Sequence, residues 1–265
     1  MTHADRDKPR GKTVELDDVS LYYEEFGAGY PLLLLHGGLE SSRTWLHLIP
    51  NLASEFRVIT VDTRGHGHST NPAGRLAYPR IASDFAAVIE AVATDPPYVV
   101  GWSDGGQHAL HLALRYPQYV RAFVAGAADY HPTPETQGWV RDFFGIDALG
   151  QPDLTQVERM LGESYPRFRA MHAGGDEHWR TLVTQTAQLW LDYPGLSDAE
   201  FGGITRPALV MVGDRDGDVP VEAAISMYRT LPNAELAVCP NANHSIPWRR
   251  TGWFLDSVRE FLRRH

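Results

Sequence analysis

Apolar residues in this chain gather into two kinds of run. Largely apolar stretches at 31–35, 57–61, 97–100, 120–125, 208–212 and 234–239, the first of them unbroken, are too short for a typical helix. Most are closed by Gly, Pro or Asp, so they read as strands, the earlier ones buried on both faces. Between them apolar positions recur every three or four residues. Ile81, Phe85, Val88, Ile89 and Val92 form one such stripe, ending before Asp95-Pro96-Pro97, and Phe254, Val258, Phe261 and Leu262 form another within 253–264. A helix is predicted at each, a third over 221–231, and a fourth capped by Ser42 that carries Trp45, Leu48, Ile49 and Leu52. Residues 13–26 read as two antiparallel strands joined at Asp17-Asp18.

Strand and helix thus alternate, which predicts an α/β fold: a mostly parallel eight-stranded sheet flanked by helices and wound by right-handed crossovers. The alternation stops between 131 and 203, where the text turns helical and aromatic, with Trp139, Phe143, Phe144, Tyr165, Phe168, Trp179, Trp190 and Tyr193. The expected organisation is a flexible tail over 1–12, a core domain over 13–130 and 204–265, and a helical cap inserted over 131–203. Trp139, Phe143, Phe144, Trp179 and Trp190, with Gly37 and Trp102 from the core, are the residues expected to line a pocket between cap and sheet edge. Plain packing of the cap on the body is the alternative for each.

At 265 residues the chain can bury one large core. Its 33 acidic and 24 basic residues give a net charge of −9 without a dense basic patch, which argues against nucleic acid. The charged opening residues read as neither secretory signal nor anchor, and no apolar stretch is long enough to span a bilayer. Cys239, the only cysteine, rules out an internal disulfide. The expectation is a cytoplasmic monomer or homodimer with no membrane partner, in which Cys239 serves packing.

Chemistry concentrates at Gly101-Trp102-Ser103-Asp104-Gly105-Gly106, between a predicted strand and a predicted helix. G-x-S-x-G in that context is a nucleophile elbow: the serine sits at a strained tip that only flanking glycines let close. The helix N-terminus then aims free N–H groups where an oxyanion would form. Reactive groups gather outside the carboxyl ends of parallel strands, and three such ends carry Ser103, a carboxylate and His244, in the chain order of an α/β-hydrolase triad. Asp216, Asp214, Asp218 and Asp129 all compete for the acid position.

Through LLLLHGG, VDTRGHGHS, GWSDGG, MVGDRD and NANHS the chain resembles the α/β-hydrolase fold superfamily along nearly its whole length, the 131–203 stretch matching in position and character only. The resemblance implies a cofactor-independent serine hydrolase with Ser103 as nucleophile and His244 as base. Asp216 is the implied acid, because the second Asp of G-D-x-D faces the histidine, while Asp214 and Asp218 serve turns and caps. The oxyanion donors are the N–H of Asp104 and that of Gly38, the x of His-Gly-x, with Gly37 as alternative. His36 is assigned to holding its loop. His66 and His68 lack a third ligand at a suggestive spacing, so no metal is expected. His108, His111, His172 and His178 are read as surface or packing residues.

GWSDGG further resembles biphenyl-hydrolase-like proteins, including amino-acid ester hydrolases, which implies that Asp104 pairs with a cationic substrate group. A helix N-terminus stabilises that carboxylate in any case. The expected reaction is cleavage of an ester, lactone or related acyl bond in a small, moderately apolar molecule. Carbon–carbon bond hydrolysis, perhydrolysis and lyase or ring-forming chemistry are alternatives on the same scaffold, and a silent ligand-binding protein is the alternative of another class. Ser103 disfavours epoxide and haloalkane hydrolysis, which need Asp at the elbow.

Overall fold

Eight strands make one sheet in the order β1-β2-β4-β3-β5-β6-β7-β8 in this computed structural model, which describes residues 11–265. β1 (Lys12–Leu16) and β2 (Val19–Phe26) form a hairpin across Asp17-Asp18, and β2 pairs antiparallel with β4. The other strands, β3 (Tyr30–Leu35), β4 (Phe56–Val61), β5 (Tyr98–Trp102), β6 (Phe123–Gly126), β7 (Ala208–Gly213) and β8 (Ala234–Cys239), pair in parallel. All six therefore point their carboxyl ends to one edge, and β5 lies in mid-sheet.

Pleating sends alternate side chains to opposite faces. Leu33 and Leu35 join Phe85, Leu110 and Phe123 in one apolar layer, under α2 (Tyr78–Val92), α3 (Asp104–Arg115) and α9 (Val221–Thr230). Leu32 and Leu34 join Trp45, Trp102, Phe254 and Phe261 in the other, against α1 (Ile49–Leu52), α10 (Ile246–Arg249) and α11 (Thr251–Arg264). Five helices stand between β6 and β7: α4 (Pro134–Phe144), α5 (Leu154–Leu161), α6 (Tyr165–Ala170), α7 (Gly175–Asp192) and α8 (Asp198–Gly202). They bury a core of their own around Phe144, Val157, Trp179 and Leu182, and Leu39 from the loop after β3 is packed into it.

Three local expectations are corrected. The helix expected from Ser42 is two pieces, a 3-10 turn over Ser42–Trp45 capped by the Ser41 hydroxyl, then α1. Pro50 lacks the N–H that a continuous helix would need there. β6 begins at Phe123 rather than 120, after a turn over Pro117–Tyr119, although Arg121 and Ala122 already bond to the backbone of Pro97 and Val99. The expected tail shortens too: residues 1–10 lie outside the described residues, but Lys12 already pairs with Tyr23. Among the described residues, no helix is long and apolar enough to cross a membrane.

Candidate active site

β5 turns into α3 through Ser103, whose backbone is held at φ 57° and ψ −124°. Such a conformation costs a non-glycine residue about 1–3 kcal/mol and persists only where its surroundings enforce it. The enforcement is visible. A Cβ on Gly101 would lie 2.0 Å from the Gly105 carbonyl oxygen, and one on Gly105 2.1 Å from that of Leu35, so α3 starts hard against β5 and β3. The Ser103 N–H donates to the Gly126 carbonyl at 2.7 Å, and its own carbonyl accepts from Gly106 and Gln107. Its side chain faces two cavities instead.

His244, in the loop after β8, lines both of the same cavities. Its Nδ1 lies 3.1 and 3.0 Å from the two carboxylate oxygens of Asp216, in the loop after β7. A carboxylate only accepts, so the proton sits on Nδ1 and Nε2 is left bare. Asp216 has no exposed side-chain surface, and its Oδ1 also accepts the N–H groups of Asp218 and Val219 at 3.0 Å each. One residue before the serine, the Trp102 indole N–H donates to the His244 carbonyl at 2.9 Å. Serine strand and histidine loop are thereby tied together. Burial pushes the His244 pKa down, but Asp216, with Asp218 and Glu40, outweighs it and raises it overall.

The other carboxylates stand apart from the imidazole. Asp218 approaches Nδ1 only to 3.7 Å, Asp214 accepts from the Ala242 N–H, and Asp129 accepts from the His131 N–H. Asp216, Asp218 and His244 present ligand atoms within 4.8 Å of one another, the one group of metal-ligand spacing among the described residues. An ion there would have to displace the Nδ1 proton that Asp216 accepts. His66 and His68 do not converge: the first ring packs 5.1 Å from His36, the second 4.8 Å from Tyr22.

Two N–H groups of residues near the serine have no acceptor among the described residues, those of Gly38 and Asp104. The N–H of Gly37 is already committed to Glu40 Oε2 at 3.2 Å. Trp190 of α7 packs against both Gly38 and Asp104. A Cβ on Gly38 would come within 2.3 Å of its Cζ2, and its indole N–H donates to Asp104 Oδ1 at 3.2 Å. Asp104 also accepts from the Tyr78 hydroxyl at 2.6 Å, and burial lifts its pKa to about 6 against the pull of both hydrogen bonds.

Trp139 and Trp190 line both cavities beside Ser103, Asp218 and His244, and so divide one site into two lobes. The narrow lobe has room for about 130 Å³ and adds Tyr78, Gln107, Asp129 and Tyr193; the wide one holds about 420 Å³ and adds Gly38, Glu40, Phe143, Arg167 and Arg249.

The model of the alpha/beta hydrolase fold family matches residues 30–251. The chain belongs to the α/β-hydrolase fold family. Relatives of this α/β-hydrolase include the pimeloyl-acyl-carrier-protein methyl ester esterase of Vibrio campbellii, 30% identical with 91% of this chain and 98% of that protein covered. The serine hydrolase BPHL of Mus musculus is 26% identical, over 94% of this chain and 85% of its own. A meta-cleavage product hydrolase of Pseudomonas fluorescens IP01 superposes with a TM-score of 0.80 at 23% identity, covering 96% of this chain and 98% of that one, a likeness of fold. The relatives are hydrolytic enzymes, and so is this α/β-hydrolase.

Of the wall residues expected from sequence, Gly37, Trp102, Trp139, Phe143 and Trp190 border a lobe. Phe144 and Trp179 do not, and this is a correction. Both are all but fully buried in the core of the α4–α8 block. Sequence reading missed Tyr78, Gln107 and Tyr193. Tyr78 begins the helix one turn ahead of the stripe that opens at Ile81, and nothing in a helical stripe marks which polar member faces a cavity.

Proposed function

We propose that this α/β-hydrolase cleaves an ester, lactone or related acyl bond through an acyl-enzyme on Ser103. The observation that carries the reading is the double contact of His244 Nδ1 with Asp216, which leaves Nε2 basic in a residue that lines the same two lobes as Ser103. In this scheme Ser103 Oγ attacks the carbonyl as Nε2 takes its proton, and Asp216 steadies the imidazolium that results. The oxygen that gains charge is received by the N–H groups of Gly38 and Asp104, a single such donor giving about 10²–10³ in rate. The imidazolium then gives that proton to the leaving group as its bond to the acyl carbon breaks. Water deprotonated by the regenerated Nε2 attacks the acyl-enzyme and releases the acid, the proton returning to Ser103 Oγ. The α4–α8 block serves as the cap, and its indoles at 139 and 190 favour a moderately apolar substrate. Buried Cys239, the chain's only cysteine, suits a cytoplasmic setting.

The test is covalent. A fluorophosphonate probe should label the wild type, with Ser103→Ala unlabelled and His244→Ala slowed at least a hundredfold. A panel of esters, lactones and thioesters, with Ser103→Ala as blank, then identifies the acyl class. Labelling that survives Ser103→Ala, or a panel with no turnover above that blank, refutes the acyl-enzyme reading and favours carbon–carbon bond hydrolysis on the same scaffold.

A further inference from the structure

The loop bearing Gly38 is fastened on both sides of that residue, and one fastening comes from the α4–α8 block. On the body side Glu40 takes the Gly37 N–H, and the His36 ring bonds the Gly37 carbonyl at 2.8 Å. On the other side stands His172, between α6 and α7. Its Nε2 lies 3.0 Å from the carbonyl oxygen of Leu39, while its Nδ1 accepts the Gly67 N–H at 2.9 Å. Accepting at Nδ1 fixes the tautomer: the proton is on Nε2 and is donated to Leu39. The Ala173 N–H returns to the Gly67 carbonyl at 3.0 Å, so the 172–173 backbone and ring grip Gly67 from both ends.

Leu39 needs such a grip. Its backbone has φ +58°, a region costly for a branched side chain, and its side chain is buried in the core of the α4–α8 block. Gly38 therefore sits between a residue held by the body and a residue held by the block. Its N–H is left without an acceptor among the described residues.

We propose that His172 is a positioning residue for the oxyanion hole: by bonding the Leu39 carbonyl from the cap side, it sets the direction of the Gly38 N–H, so that catalytic competence depends on how the cap is seated. The inference rests on the reading of Gly38 as an oxyanion donor. His172 touches no reacting atom. Burial lowers its pKa to about 4, which keeps the ring in the neutral form that can both accept and donate.

The experiment compares His172→Phe, which keeps a ring but loses both hydrogen bonds, with His172→Gln, whose carboxamide can accept from Gly67 and donate to Leu39. Hydrolysis of p-nitrophenyl butyrate should show kcat about 10- to 100-fold lower in the Phe variant with KM within about threefold, since misdirecting one donor costs up to what deleting it does. The Gln variant should return to within about fivefold of wild type. Amide hydrogen exchange over 37–40 should be faster in the Phe variant than in the Gln variant. If the Phe variant does not fold, His172→Asn, too short to reach both partners, replaces it with the same expectations.

An unchanged kcat, a loss carried by KM alone, no recovery in the Gln variant, or unchanged exchange over 37–40 each overturns the proposal. Ser103→Ala in the same assay separates this from the parent reading. If it abolishes hydrolysis while His172→Phe does not change kcat, the acyl-enzyme stands and the positioning role falls. If Ser103→Ala retains full hydrolysis, the parent reading falls, and the exchange comparison still decides whether His172 fixes the loop.

Discussion

The sheet body and the α4–α8 block border the same two lobes by different physics. Every group assigned a bond-making or proton-moving role stands at the carboxyl end of a parallel strand and is held by backbone contacts: Ser103 by Gly126, Asp216 within its own turn, His244 through Trp102. The block contributes faces of side chains, Trp139, Phe143 and Trp190, whose placement depends on how helices pack. Main-chain hydrogen bonds fix where the strand-end groups stand, whereas the placement of a helix face rests on side-chain packing. Damage to the body should therefore appear in kcat, and damage to the block in KM or stability, except where the block touches the loop around Gly38.

The largest effect should come from Asp216→Asn. An amide can present its N–H to His244 Nδ1 and favour the wrong tautomer, and by analogy with other triads kcat falls about 10⁴-fold. The variant also tests the electrostatics. Catalysis needs neutral His244, and the surrounding carboxylates raise its pKa, so wild-type activity should rise with pH through an inflection above the ordinary histidine value. With the carboxylate gone the inflection should move to lower pH. Residual kcat/KM measured over about pH 5–9 reads both effects, and an inflection that stays put would show that Asp216 does not set the charge on His244.

A pair of glycine substitutions sharpens the contrast at smaller magnitude. Gly38→Ala places a methyl where Trp190 Cζ2 is 2.3 Å away, so either the indole or the donor must move, and kcat should fall about 10- to 100-fold. Gly138→Ala lies within α4, where an added Cβ meets nothing within 4 Å. There it should leave kcat unchanged and stabilise by about 0.5–1 kcal/mol, the usual gain of Ala over Gly in a helix. Steady-state kinetics beside thermal melts check the pair; equal kinetic damage from both would dissolve the distinction drawn here.

The same difference explains what could be read from sequence. An elbow needs glycine two residues either side of its serine, a two-sided strand needs an unbroken apolar run, and both are local rules, so Ser103 and the sheet were legible. Asp216 was separable from Asp214 and Asp218 only through the resemblance, since all three stand in one turn and the side chain's direction is a tertiary fact. Phe143 and Phe144 make the limit plain. Adjacent in sequence and identical in type, one borders the wide lobe and the other fills the block's core, because successive residues on a helix point about 100° apart and the sequence does not say which direction the site lies. His172 carried no signal at all: its partners, Gly67 and Leu39, are both main-chain groups more than a hundred residues away.

Asp104 gives a small expected effect on turnover and lies where the two regions touch. Resemblance suggested a partner for a cationic substrate, but in the structure one oxygen accepts from Tyr78 and Trp190, and the other lies 3.6 Å from His108, held neutral by burial with its pKa near 3. We read it as the post that holds Trp190 over the serine. Its pKa of about 6 exceeds that of an unfolded aspartate, so between about pH 4 and 6 the unfolded chain has lost a proton that the folded one keeps. Stability falls as pH rises through that window, and above it burying the charge costs on the order of 3 kcal/mol. Asp104→Asn keeps an oxygen for both donors and removes the charge. The variant should melt higher than wild type at about pH 8, with the gain shrinking as pH drops below about 5. It should change amino-acid ester and neutral ester hydrolysis by the same small factor. A selective loss of amino-acid ester turnover would instead make this carboxylate a substrate contact and assign the narrow lobe to a cation.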